Sequence, residues 1–309
     1  MQFSAPRDPV RVTRCSMPHA SNGQGDAGTK RFQACPKLFS FWSGRVSWLE
    51  HLCASSMARQ GHHLTIFSYE PGPLSAAGLK AEIRDAREVT GGDRDLLELL
   101  KTKPSTVSNF FRVAGLVDQR GIWVDLDCLL LQPLPDDPYL FGKIESGRIN
   151  GAILKLPAGS GALIEYYRIC RERPIKRVPA WLPFRRRLSR HIALKRAQIT
   201  GGRLPNYPHG PIAVTHIADK HDLSHLARAH EVFYPIDSSE AAMLIDPVDR
   251  MRERITPRTI CVHLWHGQLV KLLAGRLPPA TSYVGKIHAH YGAGAAAPRT
   301  VQAMRHGNI

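Results

Sequence analysis

The sequence is poor in the features that hold small secreted or metal-stapled proteins together. Its six cysteines, Cys15, Cys35, Cys53, Cys128, Cys170 and Cys261, lie far apart and none forms a C-x-x-C pair. That spacing argues against a zinc ribbon or a disulfide scaffold and fits a reducing cytosol. There is no apolar run of the roughly 18–20 residues needed to span a bilayer. The opening stretch holds no continuous apolar segment of the kind a secretory leader carries. A cytoplasmic protein, peripheral at the inner membrane face at most, is the expectation. Acidic residues are also scarce: 26 Asp and Glu stand against 42 Lys and Arg, a formal charge of +16. Such an excess favours an anionic partner, whether nucleic acid, a membrane surface or a phosphorylated ligand. No recognised nucleic-acid motif accompanies it, so no nucleic acid is expected.

The acid deficit is local. From Arg168 to Arg203 the only acidic residue is Glu172, while Arg171, Arg173, Lys176, Arg177, Arg185, Arg186, Arg187, Arg190, Lys195 and Arg196 fall inside. Phe184, Leu188, Ile192 and Ile199 recur near helical spacing, with the cations on other faces. The segment 176–199 therefore reads as an interfacial amphipathic helix suited to an anionic bilayer.

What is present is a large apolar fraction, 43% of 309 residues. This is enough for one large α/β domain, or one domain with an appended subdomain. Residues 1–34 are polar and without period and read as a disordered tail. Residues 35–289 are expected to form the domain, with 168–203 as a basic helical insertion, and 290–309 to be a loose tail. Lys37 to Trp42 reads as a strand. Ser47 with Glu50 three residues on is the signature of a capping box opening a helix, which Gly61 ends. Leu64 to Tyr69 is a second strand. Strand–helix–strand at this spacing makes a parallel βαβ unit. Pro104 opens a helix carrying Val107, Phe110, Phe111, Ala114 and Val117. Gly121 to Asp125 reads as a buried strand, Gly159 to Arg173 as a helix, Gly210-Pro211 as a helix start, Val232 to Tyr234 as strand-like, and Ile260 to Trp265 as a strand.

The strand at 121–125 leads into Asp125-Leu126-Asp127. With charged residues near a quarter of an average chain, about one D-x-D arises by chance at this length. Asp93-Arg94-Asp95 is a second one, and reads as a cap for the helix of Leu96, Leu97, Leu99 and Leu100. Alternation puts Ile122, Val124 and Leu126 on one side and Trp123, Asp125 and Asp127 on the other. Both carboxylates then share a side near the carboxyl end of a parallel strand, where open α/β sheets bind ligands. Two such carboxylates suit a hard divalent cation. The plain alternative is that they cap the following turn, Leu131-Gln132-Pro133.

The stretch Ser108-Asn109-Phe110-Phe111-Arg112 through Leu116 and Gly121 to Asp125-Leu126-Asp127 resembles the DXD sugar-binding region of a glycosyltransferase family. That family includes α-1,4-glycosyltransferases, initiating mannosyltransferases, capsule and lipopolysaccharide transferases, and the catalytic domains of clostridial glucosylating toxins. Ser108, Arg112, Leu116, Gly121, Asp125 and Asp127 match in register; Asn109, Arg120 and Trp123 depart, standing for Asp, Gly and Tyr. Further elements resemble the family's: Phe41-Trp42-Ser43-Gly44, Gly61-His62-His63-Leu64, Asn150-Gly151-Ala152-Ile153, Gly210-Pro211 with Thr215, and His263-Leu264-Trp265-His266. The similarity covers about 36 to 270.

The resemblance implies a GT-A-type fold: α/β, Rossmann-like, with a mostly parallel sheet flanked by helices. It implies a metal-dependent hexosyltransferase taking a nucleotide sugar, expected to be a UDP-sugar, with Mn²⁺ or Mg²⁺, to a glycan or lipid-linked acceptor with retention. Asp127, with Asp125 and His263, would hold the metal. Trp42 would stack on the base, and Arg112 with Asn109 would hold the sugar. Trp123 and Asn150 would contribute to the donor pocket, and His263 and Trp265 would close over the diphosphate. Asp125, Asp127 and Arg112 carry the chemistry in this reading. Two alternatives remain from the residues: a haloacid-dehalogenase-like phosphatase, since Asp125 to Leu129 resembles its D-x-D loop, and a non-catalytic basic protein docking on membranes or acidic polymers.

Overall fold

The computed structural model describes residues 35–171, 178–202, 205, 208–247 and 249–292. The expectations for 1–34, for 293–309 and for 172–177 of the basic block lie outside the described residues. The chain opens with β1 (Leu38–Phe41), α1 (Trp48–Arg59), β2 (Leu64–Ser68), α2 (Pro71–Ala76), β3 (Glu82–Asp85), α3 (Arg87–Thr90), α4 (Arg94–Thr102), α5 (Pro104–Val117) and β4 (Ile122–Val124). It continues with β5 (Cys128–Leu130), β6 (Leu140–Lys143), β7 (Ile149–Lys155), α6 (Gly161–Arg171), α7 (Phe184–Thr200), α8 (Pro211–Lys220) and α9 (His230–Phe233). It closes with α10 (Asp249–Arg252), β8 (Cys261–His263), α11 (His266–Leu273) and α12 (Tyr283–Gly292).

Six strands form one sheet in the order β3-β2-β1-β4-β7-β6, and β5 pairs with β8 in a second. β3, β2, β1 and β4 run parallel; β7 and β6 join antiparallel. The α/β, mostly parallel expectation holds, with the antiparallel pair as an addition. β7 went unread because Ile149-Asn150-Gly151 interrupts its apolar run. β3 went unread because its Glu82, Arg84 and Asp85 belong to an edge strand, where burial does not impose an apolar pattern.

The alternation in the strands is what builds two cores. Leu38, Ile66, Ile122 and Val124 face one side, against Leu49, Leu52 and Met57 of α1. Phe39, Phe41, Phe67 and Trp123 face the other, against Phe110, Phe111 and Ala114 of α5. Each large side chain buried this way stabilises the fold by about 1.5–3 kcal/mol. The helix starts follow local chemistry. The Ser47 hydroxyl accepts from Leu49 N–H at 3.2 Å, and Glu50 accepts from Ser47 N–H at 2.6 Å, a complete capping box. Asp93 caps α4 by accepting from the N–H groups of Asp95 and Leu96.

Three local expectations are corrected. Val232 and Phe233 lie in the single-turn helix α9, not a strand; both are buried and consecutive, a pattern one helical turn satisfies as well as a strand does. Trp265 is off the strand, which ends at His263. His290 lies inside α12 rather than in a loose tail.

A buried histidine ties the first crossover to the far side of the domain. His62 Nδ1 is 2.9 Å from Pro36 O, and Leu134 N–H donates to its Nε2 at 2.9 Å. Only a neutral ring protonated at Nδ1 satisfies both. Burial holds its pKa below the ordinary 6.5, outweighing the Pro36 carbonyl, which raises it. The unfolded chain then binds the proton more readily, so stability is full above pH 6.5 and falls as pH drops below it. A urea titration series across pH 5–8 should show that decline, and His62→Ala, costing about 1–3 kcal/mol by orphaning its partners, should flatten it.

Candidate active site

Arg112 is a guanidinium on the buried face of α5, only 5% exposed. Burial of a charge is tolerated only with partners, and it has them. Nη1 donates to Asn109 Oδ1 at 3.0 Å and Nη2 to Asp125 Oδ1 at 2.9 Å. Its Cζ lies 5.0 Å from the centre of the Trp123 ring, an added cation–π attraction. The Trp123 indole N–H donates to the same Asp125 oxygen at 2.6 Å. On the β7 side, a Cβ at Gly151 would stand 2.8 Å from Arg112 Nη1, the nitrogen that donates to Asn109, so the guanidinium lies close against a position that carries no side chain. Burial lowers the Arg112 pKa, but the Asp125 charge outweighs it, and the net shift is upward. Burial also lifts Asp125 above the ordinary carboxylate value; Arg112 opposes this and Asp127 adds to it.

Asp127 arrives differently from the expectation. β4 ends at Val124, Asp125 N–H donates to Ala152 O, and the chain turns so that Cys128 N–H donates to Asp125 O. The alternation therefore does not run through to Asp127. Asp125 faces α5, whereas Asp127 faces the β5–β8 sheet. There Asp127 Oδ1 is 3.1 Å from His263 Nε2, and Oδ2 accepts His266 N–H at 2.9 Å. Its backbone carbonyl accepts Leu264 N–H. Neither aspartate caps the Leu131-Gln132-Pro133 turn; Asp127 instead caps the N-terminus of α11, where a negative charge is favoured. Burial pushes Asp127 upward, but the His263 charge, its hydrogen bond and the His266 N–H prevail and bring it to about 2. For His263, burial lowers the pKa and the Asp127 charge more than reverses this, leaving it above 6.5.

The remaining predicted residues fall at varying distance from this pair. Trp265 packs edge-on against His263 with ring centres 4.1 Å apart, and Tyr234 does so at 5.8 Å. Trp265 has φ +50, a left-handed conformation uncommon for a bulky residue, and its indole is tied to Ile236 O. Trp42 packs edge-on against His266, 5.7 Å away. Trp123 is 1% exposed, so what it adds to ligand binding passes through Asp125. Asn150 is buried, and its side-chain oxygen is taken by Ala152 N–H. Thr215 accepts from Ile149 N–H and donates to Pro211 O, fastening the start of α8 to β7. Arg120 is drawn away, onto Asp118.

Glu50 is the residue the sequence reading gave only a capping role. It is fully buried, and its Oε1 lies 3.4 Å from His266 Nε2.

The residues fit a divalent cation. Asp127 Oδ1 and His263 Nε2 stand 3.1 Å apart, close to the separation of neighbouring ligands on an octahedral ion with bonds of about 2.1 Å. His263 Nδ1 is buried without a hydrogen-bond partner among the described residues, and flanking rings hold the imidazole in place. Cys128 also has its sulfur within 4.8 Å of these atoms. Burial pushes its thiol well above the ordinary range in the metal-free protein, while the carboxylate and the imidazole are by themselves ligands that Mn²⁺ accepts.

No protein-family model matches the chain, and no curated protein matches it. Among solved structures the chain is similar to PaToxG Glycosyltransferase, at 12% identity and a TM-score of 0.41, over 60% of this chain and 69% of that one. A likeness that loose carries no argument, and the functional reading rests on the site.

Removing one partner of the Arg112–Asp125 pair leaves the other charge buried and alone. Arg112→Met should cost about 3–5 kcal/mol in chemical denaturation. Adding Asp125→Asn should restore part of that loss, since the double variant buries no lone charge.

Proposed function

We propose that the protein is a metal-dependent glycosyltransferase that takes a nucleotide sugar as donor. The observation that carries this is the convergence of Asp127 and His263, 136 residues apart, beside the Arg112–Asp125 pair at the carboxyl end of parallel strand β4. Ligands bind at such ends in open α/β sheets. In this reading Asp127 and His263 hold the cation and Asp125 contacts the donor's ribose or sugar. Arg112 and Asn109 orient the sugar, Trp42 offers its ring to the base, and Trp265 shields the diphosphate. When bound, the cation supplies Lewis acidity to the charge that builds on the departing diphosphate. Arg112 remains charged throughout and adds a fixed positive potential without reorganisation.

The donor is proposed to be a UDP-sugar and transfer to proceed with retention; no protein nucleophile is assigned.

Asp127→Asn keeps an acceptor for His266 N–H but loses the charge. Nucleotide-sugar hydrolysis with Mn²⁺ should fall by more than the roughly 10–100-fold that losing an outer-shell partner costs at metal sites. Full activity in that variant overturns the metal assignment. A thermal-shift screen of nucleotide sugars with and without Mn²⁺ identifies the donor, because bound ligand raises apparent stability.

An anionic bilayer is the proposed partner of α7. That helix turns Arg190 and Leu194 inward, and leaves Phe184 77% and Ile199 83% exposed, with Leu188 and Ile192 exposed between them. At 100° per residue these four side chains share an arc of about 80°, with Arg185 and Arg196 at its border and Lys195 within it. An apolar stripe among cations matches the interface of an anionic membrane. Leu188→Glu or Ile192→Glu should each weaken co-sedimentation with phosphatidylserine vesicles about tenfold or more, given the apolar area involved. Unchanged binding overturns the docking face.

A further inference from the structure

The sheet formed by β5 and β8 brings a thiol beside the Asp127–His263 contact. Cys128 stands directly opposite His263 in the antiparallel register. Residues so paired point to the same face, with Cβ atoms about 4.5–5.5 Å apart. Asp127 comes one residue earlier. On a continuous strand it would face away from Cys128, but the chain turns between Asp125 and Cys128, so the carboxylate meets the same imidazole. A carboxylate oxygen of Asp127, the Cys128 sulfur and a ring nitrogen of His263 all lie within 4.8 Å of one another. Around one tetrahedral ion, bonds of about 2.0–2.3 Å to oxygen, nitrogen and sulfur set such atoms about 3.5 Å apart. Side-chain rotation covers the difference.

Depth orders the three groups. Cys128 is fully buried and His263 is 6% exposed, whereas Asp127 is partly exposed. The thiol therefore closes the inner side of the set, and the carboxylate faces solvent. The bond from Cys128 Sγ to the Ala152 carbonyl is long, 3.9 Å, and costs little to give up. Cys261, two residues before His263 on β8, is the neighbouring thiol, but its sulfur is not one of the three clustered atoms.

We infer that Cys128 is a third metal ligand, and that it gives the site an affinity for sulfur-accepting cations of the Zn²⁺ or Co²⁺ kind that Mg²⁺ does not share. The inference rests on Asp127 and His263 as metal ligands, and not on the reaction they serve. Oxygen, nitrogen and sulfur make three protein ligands, the number that leaves a position for water or substrate at catalytic zinc sites. The thiolate is the ligand, so the ion displaces the thiol proton. Sulfur adds most to the softer ions, whereas Mg²⁺ keeps to oxygen. Mn²⁺ retains the carboxylate and the imidazole and gains less from the sulfur.

Cobalt makes the ligand visible. Full-length protein, freed of metal and kept reduced with a phosphine, is titrated with Co²⁺. A sulfur-to-cobalt charge-transfer absorption should appear and saturate at a single site per chain. The band should vanish in Cys128→Ala and in Asp127→Asn, and persist in Cys261→Ala. Zn²⁺ affinity in Cys128→Ala should fall by more than the roughly 10–100-fold that losing an outer-shell partner costs, and Mn²⁺ affinity should fall less; a packing defect would weaken both alike. X-ray absorption on the unaltered protein loaded with equimolar Zn²⁺ needs no variant, and should show one sulfur at about 2.3 Å. Co²⁺ binding that depends on Asp127 but carries no charge-transfer band, or zinc ligated by oxygen and nitrogen alone, overturns Cys128 as a ligand and leaves the carboxylate–imidazole pair standing. A band that survives in Cys128→Ala overturns it as well. Metal binding that does not depend on Asp127 overturns both assignments.

Discussion

The buried ion pair between Arg112 and Asp125 organises the centre of this protein. A guanidinium enclosed by a helix, two strands and an indole ring is stable only with partners; both of its Nη atoms have them, while Nε is buried with no hydrogen-bond partner among the described residues. α5 supplies the arginine and Asn109, β4 supplies Trp123 and the approach to Asp125, and β7 supplies the gap at Gly151. The same carboxylate stands close enough to Asp127 for each to feel the other's charge. The pair thus joins the face of the sheet that packs on α5 to the second sheet, where β5 and β8 hold the Asp127–His263 contact.

Two carboxylates two residues apart end in opposite electrostatic circumstances. Asp125 is lifted by burial and by its neighbour, whereas Asp127 is pulled down by an imidazole and a helix N-terminus. Environments that push equivalent groups apart are a means by which one loop gives them separate tasks. Here one carboxylate is occupied with an arginine and the other with groups a cation can replace.

Much of this was legible before any coordinates. The capping box at Ser47 and Glu50, the βαβ unit of β1, α1 and β2, the helix opened by Pro104 and the helix after Gly210-Pro211 all follow from local chemistry, and local chemistry decides them in the fold. The alternation through Ile122, Trp123 and Val124 correctly divided the two cores. It failed one step later because alternation is a property of extended chain, and the chain turns after Asp125. The partnership of Asp127 with His263 spans 136 residues; residue types along the chain do not encode such a contact, and it came into view in the sequence only by resemblance. Glu50 was hidden for a related reason. Its local role as a cap explained it fully, so nothing pointed to His266. The antiparallel β6–β7 hairpin and the charged edge strand β3 escaped because neither carries a regular apolar period.

Gly151 gives the fold an unusual kind of determinant. In most buried sites charge is set by what the neighbouring side chains bear; here the arginine lies in the volume that a methyl group would fill. The placement of the positive charge is thus written partly as an omission. A residue with nothing beyond its backbone leaves room for the guanidinium nitrogen that bonds Asn109. The electrostatics of the centre depend on a steric vacancy one strand away as directly as on the ions themselves.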